Sequence, residues 1–482
     1  MRGARRGSRR RAPAIFAAGI GTITKERHLP HPAHTPSDRQ VARPVAALPG
    51  PLLDAAYLVV ALVALPWVLW RKFSGGRPVA APWVRFTGSI APLASPGAGS
   101  PRIWLHGVSV GEVQLLAALA IELRAQAEAA GRSIDCVISS STTTGLELAA
   151  KRFGPDRTFP CPLDFTWAVD RVLDRVRPDL IVLGELELWP TLLSQAARRG
   201  IPVVVANGRM SERSAAGYGR VAWFARRMLA LVSVVAARSP ADADRFAALG
   251  ARAVVVTGSL KFDGVRGDRT APEVARFRQL AGFAATDIVF LAGSTQAPEE
   301  SLAIDTFRAL APSHPALRLV IVPRHVDRTP EIAALLNAAG LRWQFRSRLD
   351  ETPPDPAIRV LLIDTTGELS WWWGTAAIAF VGGSLDGIRG GQNMLEPAAY
   401  AAAVCFGPHT RNFRDEVRRL LDADAAVVVA DGPALTAFVG RCLAEPAWAL
   451  ALGSRASSLV AAHRGATATT ARLILDRLGP SR

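Results

Sequence analysis

IWLHGVSVGEVQLLA, residues 103–117, is the stretch on which the fold turns. An apolar run, Ile103-Trp104-Leu105, meets a glycine-bearing turn, HGVSVGE at 106–112, and the turn leads into apolar-periodic residues from Val113. A strand, a tight turn and a helix start are predicted in that order, the first half of a βαβ unit. The N-terminus of such a helix attracts anions, because its first N–H groups lack partners and point outward. Here the turn carries its own carboxylate, Glu112. An acid paired with the helix dipole is one role for it. A general base at the mouth of a ligand site is the other.

The pattern recurs after a Pro/Gly/Ser stretch, APLASPGAGSPR at 91–102. Candidate strands lie at 102–106, 134–140, 179–184, 201–206, 231–237 and 253–257, and a second series lies at 288–293, 317–325, 359–364, 376–383, 403–408 and 425–431. Short apolar runs, each closed by glycine or proline and followed by a helical stretch, suit parallel strands covered on both faces. The two series are divided by FDGVRGDRTAPE at 262–273. They predict an α/β protein of two Rossmann-like, doubly wound domains facing each other across a cleft, residues 74–270 and 271–482. In such folds ligands sit at the carboxyl ends of the strands.

At 482 residues the chain has room for two or three domains of roughly 150 residues. With 49% hydrophobic and 20% charged residues it can bury large cores. Its formal net charge of +16 favours an anionic partner, an anionic membrane surface or an anionic substrate. Nucleic acid is not expected: the charge is dispersed and no zinc-finger or RNA-binding signature appears. The basic residues are nearly all arginine, and lysine occurs only at Lys25, Lys72, Lys151 and Lys261. A lysine kept in so arginine-biased a chain is one whose compact ammonium a planar guanidinium does not replace. Cys136, Cys161, Cys405 and Cys442 form no C-x-x-C pair and no zinc-like spacing. They are expected to be buried hydrophobes, with no disulfide and no metal site.

Residues 1–50, rich in Arg, Pro and His, predict a disordered basic extension. Residues 51–73 form the one strongly apolar segment, with Trp67, Trp70 and Arg71-Lys72 at its far end. Its length, its aromatic flank and its positive flank predict a membrane-anchor helix that leaves the rest of the chain in the cytoplasm. Pro66 and Asp54 interrupt it, and a buried core helix is the alternative.

Most of the remaining punctuation sits at predicted strand ends. GGSLDGIRGGQNMLEP, 382–397, offers glycine backbone to a phosphate, Asn393 to cap a helix, and Glu396 to meet ribose hydroxyls. A tight turn is the plainer reading of the same glycines. Trp371-Trp372-Trp373 lies at helical spacing and is expected mainly in the core.

Together these stretches resemble the 3-deoxy-D-manno-octulosonic acid (Kdo) transferases of lipopolysaccharide assembly. The resemblance is carried, in order, by WLHGVSVGE, GELELWP, ANGRMSERSAAGY, TGSLKFD, AGST, VPRH, DTTGEL, FVGGSL, GGQNMLEP and GPHTRNF. It implies the GT-B fold and a place at the cytoplasmic face of the inner membrane. It implies an inverting transfer of Kdo from CMP-Kdo, the donor substrate, to a hydroxyl of the lipid A precursor, with no metal and no further cofactor. By the same resemblance Glu112 is the catalytic base, and Glu185 and Lys261 stabilise the transition state. CMP would be held by Pro323, Arg324, Thr366, Gly367, Glu368, Asn393, Met394, Leu395 and Glu396, with Ser294 and His325 as further contacts. The chain departs from the pattern at Gln296 and Gln392, where many members have His, at Met394, where many have Pro, and by one extra residue before Gly390-Gly391. Two other functions fit the same residues: a GT-B transferase using a UDP-sugar, and a catalytically silent, membrane-anchored sugar-nucleotide binding protein.

Overall fold

A computed structural model describes residues 50–73, 81–97 and 99–478. Among them, fourteen strands build two seven-stranded sheets. The first sheet holds β1 (Arg102–Gly107), β2 (Asp135–Ser140), β3 (Thr158–Pro160), β4 (Leu180–Gly184), β5 (Val203–Gly208), β6 (Val234–Ala237) and β7 (Val254–Val256). Its order is β3-β2-β1-β4-β5-β6-β7, and neighbouring strands run parallel. The second holds β8 (Ile288–Thr295), β9 (Leu317–Pro323), β10 (Trp343–Phe345), β11 (Val360–Leu362), β12 (Ile378–Val381), β13 (Ala403–Phe406) and β14 (Val427–Val428). It is also parallel, in the order β10-β11-β9-β8-β12-β13-β14.

Alternating side chains explain why the central runs are apolar throughout. Trp104, Ile181 and Val205 point to one face of the first sheet, and Ile103, Leu105, Val182 and Val204 to the other. Helices cover both faces, so β1, β2, β4 and β5 are buried along their whole length. β3 and β10 were not anticipated; each is a three-residue strand at a sheet edge.

In each sheet the chain reverses its direction of winding once. The reversal lies between β1 and β4 in the first sheet and between β8 and β12 in the second. These switch points open crevices at the strand carboxyl ends.

The last helix, Ala466–Leu475, packs on the first lobe. Its Ala466, Ala471 and Ile474 pack in the core of the first lobe with Leu105 and Leu116. Asp263 accepts N–H bonds from Gly465 (2.6 Å) and Thr467 (2.5 Å), fixing where the chain crosses back. The second lobe therefore ends before this helix.

The segment expected as an anchor is a helix, Gly50–Phe73. It docks on the first lobe through Leu53, Asp54 and Tyr57, while Leu52, Leu58, Val59, Val60, Leu62 and Val63 stay exposed. Asp54, which looked like a flaw in an apolar span, accepts the Thr166 N–H at the start of helix Thr166–Val176 (2.8 Å). The Tyr57 hydroxyl donates to the buried carboxylate of Asp164 (2.8 Å). Among the described residues no single helix is long and apolar enough to cross a membrane. The basic extension at 1–49 and the side chains of Trp67, Trp70, Arg71 and Lys72 lie outside the described residues. All four cysteines are buried and free.

Candidate active site

Glu112 lies in the first turn of the helix that follows β1. Ser109 is the N-cap of helix Val110–Ala129, and its Oγ accepts the Glu112 N–H (3.3 Å). The Glu112 carboxylate reaches back: Oε1 accepts the Ser109 hydroxyl and Oε2 the Val108 N–H, both at 2.8 Å. This is a capping box, Ser-x-x-Glu. The glutamate is thus the anion at its own helix N-terminus. Each carboxylate oxygen keeps a further lone pair, so capping orients the group without exhausting it.

Across the switch point, the β4 end delivers Glu185 and Glu187. Glu185 has a left-handed backbone (φ +56°), held by its N–H bond to the Ala206 carbonyl (2.9 Å). Asn207 (φ +55°) and Ser294 (φ +54°) share this uncommon conformation at the ends of β5 and β8. Such backbone concentrates at functional sites. The charge of Glu185 bears on Glu112, and those of Glu112 and Glu185 bear on Glu187. Burial raises the Glu112 pKa, the Val108 and Ser109 donors lower it, and the charge of Glu185 raises it again. Glu187 is pushed up to about 7, first by burial and then by the charges of Glu112 and Glu185. Electrostatically Glu187, two residues beyond Glu185, belongs to the cluster.

His106 is a further residue of the motif. It is wholly buried, its Nδ1 lies 2.9 Å from Ser139 Oγ, and burial lowers its pKa to about 4. It is therefore neutral at pH 7. Its place in HGVSVGE was the signal that could have marked it.

Lys261 lies elsewhere. Asn207 Oδ1 accepts the Leu260 N–H (3.1 Å) and holds the LKF turn. The Lys261 ammonium is 3.5 Å from Glu416 Oε1, 3.4 Å from the Asn412 carbonyl and 4.7 Å from the Phe413 ring centre. Its ion-pair partner is thus a second-lobe carboxylate rather than Glu112 or Glu185.

In the second lobe the glycine-rich loop is corrected in one respect. Its N–H groups at Gly383 (2.7 Å), Ser384 (2.9 Å) and Leu385 (3.2 Å) donate to the Glu299 carboxylate, which also accepts the Gln296 N–H (3.0 Å). An internal anion occupies the place expected for phosphate. Gly382 permits it, since a Cβ there would lie 2.6 Å from Glu299 Oε2.

Further along, Asn393 Oδ1 accepts the Leu395 N–H (3.2 Å), and its Nδ2 donates to Glu396 Oε1 (3.1 Å). Burial raises the Glu396 pKa against the lowering by Asn393 and by Arg324. Arg324, just beyond β9, is exposed and makes no ion pair among the described residues. Nearby, Arg328, just before helix Thr329–Ala338, holds Glu300 (2.6 Å) and Glu331 (3.1 Å). Pro323, Met394 and Leu395 are buried. Thr366 and Gly367 are exposed, and His325 is exposed beside Arg324. Glu368 is spoken for by Arg346 (2.8 and 2.9 Å) and by the Thr365 hydroxyl (2.7 Å). The two glutamine departures meet: a Cβ on Gly383 would lie 3.3 Å from Gln392 Nε2 and 3.4 Å from Gln296 Nε2. Trp372 and Trp373 are core residues, as expected, and Trp371 carries Arg266 over its ring at 3.9 Å.

Comparison with known proteins gives this arrangement a class. The family model described as 3-deoxy-D-manno-octulosonic-acid transferase (kdotransferase) matches residues 84–264. A 3-deoxy-D-manno-octulosonic acid transferase of Bordetella pertussis is 34% identical over 440 residues, 87% of this chain and 97% of the relative. One from Haemophilus influenzae is 33% identical over 383 residues, 78% of this chain and 86% of the relative. Among solved structures, UDP-GlcNAc 2-epimerase from Neisseria meningitidis superposes with a TM-score of 0.50 at 13% identity, over 78% of this chain and 99% of that one. That likeness concerns the fold, which is GT-B-like. The chain is a glycosyltransferase. It belongs to the 3-deoxy-D-manno-octulosonic acid transferase family.

Proposed function

We propose that this chain transfers Kdo from CMP-Kdo to a hydroxyl of the lipid A precursor, with inversion and with Glu112 as general base. One observation carries the reading: Glu112, Glu185 and Glu187 interact at the first switch point, where the fold leaves a crevice. A sugar hydroxyl is a weak nucleophile at neutral pH. A carboxylate within hydrogen-bond reach takes its proton as the oxygen attacks the anomeric carbon, and the bond to the phosphate oxygen breaks with its electron pair leaving on CMP. A raised pKa brings the base nearer to the working pH. One base and one displacement give inversion, without a covalent intermediate.

The donor is assigned to the second lobe, with Arg324 forking onto phosphate and the Asn393–Glu396 segment turned to the nucleotide. Lys261 supplies positive charge at the junction of the lobes. The helix Gly50–Phe73, with its exposed leucines and valines, is assigned to the membrane at its cytoplasmic side. Mass spectrometry of lipid A precursor incubated with enzyme and CMP-Kdo tests the reaction and counts the sugars added. Absence of any Kdo adduct with active-site residues intact would refute it. Protection against heat by UDP and not by CMP would favour a UDP-sugar donor instead.

A further inference from the structure

GPHTRNF, 407–413, meets the site described above only at its end, where Asn412 and Phe413 lie against Lys261. It walls a recess of about 290 Å³ on the second lobe, with Gly387 and Gly390 on one side and His409, Thr410, Arg411 and Arg414 on the other. The recess is built by short-range fit. A Cβ on Gly390 would lie 2.5 Å from Arg411 Cγ, and one on Gly387 would lie 3.4 Å from the His409 ring. Arg411 donates to the carbonyls of Gly387 and Ile388, and Asn412 donates to those of Arg389 (2.8 Å) and Gly391 (3.3 Å). The loop is thus pinned against the basic segment.

The charges around it are sorted. Among the described residues no carboxylate lines the recess. Asp386, the one acid of the loop, is turned onto Arg389 and onto the Ile388 N–H (3.0 Å). Asp415 and Glu416, next along the chain, face the other way, toward Arg209 and Arg238 of the first lobe. Arg414 is exposed, and its side chain makes no ion pair or hydrogen bond among the described residues. Two guanidinium groups, an imidazole and a hydroxyl therefore face one pocket with no internal counter-charge. A guanidinium fork matches the oxygen pair of a carboxylate or a phosphate.

We infer that this recess is an oxyanion subsite, with Arg414 as its free cation, His409 and Thr410 as hydrogen-bonding groups, and Arg411 as both wall and charge. It takes a carboxylate or phosphate carried by a substrate. The inference rests on the reading of the chain as a Kdo transferase, whose donor carries both a sugar carboxylate and a phosphodiester.

The test measures thermal stabilisation of the full-length protein by free Kdo, by CMP and by inorganic phosphate. Wild type is compared with Arg414→Ala, Arg414→Lys and His409→Gln. Arg414→Ala is expected to weaken one organic probe by about tenfold to a hundredfold in Kd, the worth of a hydrogen bond to a charged group, and Arg414→Lys to restore part of it. Loss confined to free Kdo assigns the recess to the sugar carboxylate; loss confined to CMP assigns it to the phosphate. Wild-type affinity for both probes in Arg414→Ala and His409→Gln overturns the subsite. Should neither CMP nor Kdo protect the wild type, the proposed CMP-Kdo donor fails separately. The phosphate arm then decides: protection lost in Arg414→Ala keeps an oxyanion site, and no difference removes it.

Discussion

Glu112 performs two tasks with one carboxylate, and a pair of variants separates them. Glu112→Gln keeps a carbonyl oxygen for one of the two donors at the helix start, so folding should lose only about 1 kcal/mol. Turnover should fall by roughly two to four orders of magnitude, because an amide takes no proton. Ser109→Ala should show the converse, a comparable loss of stability with most of kcat retained. Calorimetry beside product formation checks both, and near-wild-type turnover in Glu112→Gln would remove the assigned base. Glu187 gives a pH test. Its pKa of about 7 lies above its ordinary value of 4.5. The folded protein therefore holds this proton more tightly than the unfolded chain. Stability from this group is complete below about 4.5 and is lost as pH rises through about 7. Glu187→Gln should accordingly raise the melting temperature at pH 8 and leave it little changed at pH 4.5. Glu185→Gln, by contrast, removes the negative neighbour that raises the Glu112 pKa, so the acid limb of kcat/KM should shift to lower pH. An unshifted limb would mean that the two groups do not communicate.

At the scale of elements, the centre of each sheet was legible because burial on both faces leaves an unbroken apolar run. β3 and β10 were not, since a three-residue edge strand such as Thr158-Phe159-Pro160 carries too few residues to display a period. The site divides along the same line. Glu112 and its capping serine lie three residues apart, within reach of local inspection. Three of the four N–H partners of Glu299 lie 84 to 86 residues away, and no spacing rule announces them. Yet this one side chain ties the loop after β8 to the loop after β12, the two edges of the second switch point. Glu299→Ala would leave several buried N–H groups without an acceptor, at about 1–3 kcal/mol each. The second lobe should be destabilised well beyond the effect of a surface substitution, and CMP affinity should fall with it. Urea denaturation and CMP titration check this. A variant with normal stability would show that water replaces the carboxylate without loss, as in a loose surface loop.

For the whole molecule, the junction of the lobes depends on a few charges in a nearly dry setting. Arg238 of the first lobe meets Glu416 of the second at 2.8 Å, with side chains 4% and 2% exposed. Lys261 shares that carboxylate at 3.5 Å, and Arg209 holds Asp415 at 3.4 Å. Among the described residues the Nε and Nη1 atoms of Arg238 have no hydrogen-bond partner, so its one strong contact is the acid across the junction. A buried pair is costly to break by halves, because the remaining charge stays desolvated; the penalty is about 3–5 kcal/mol. Glu416→Leu should therefore destabilise by that order. The double variant Arg238→Met with Glu416→Leu should recover most of the loss, since apolar replacements of similar volume remove both charges together. Activity should not recover in parallel, because Lys261 has lost its partner in both proteins. Denaturation midpoints and kcat, measured on wild type, both single variants and the double variant, form a closed cycle. Additive stability effects would show that the pair does not couple the lobes. Recovery of kcat along with stability would show that Lys261 needs nothing from Glu416, and that the junction serves folding alone.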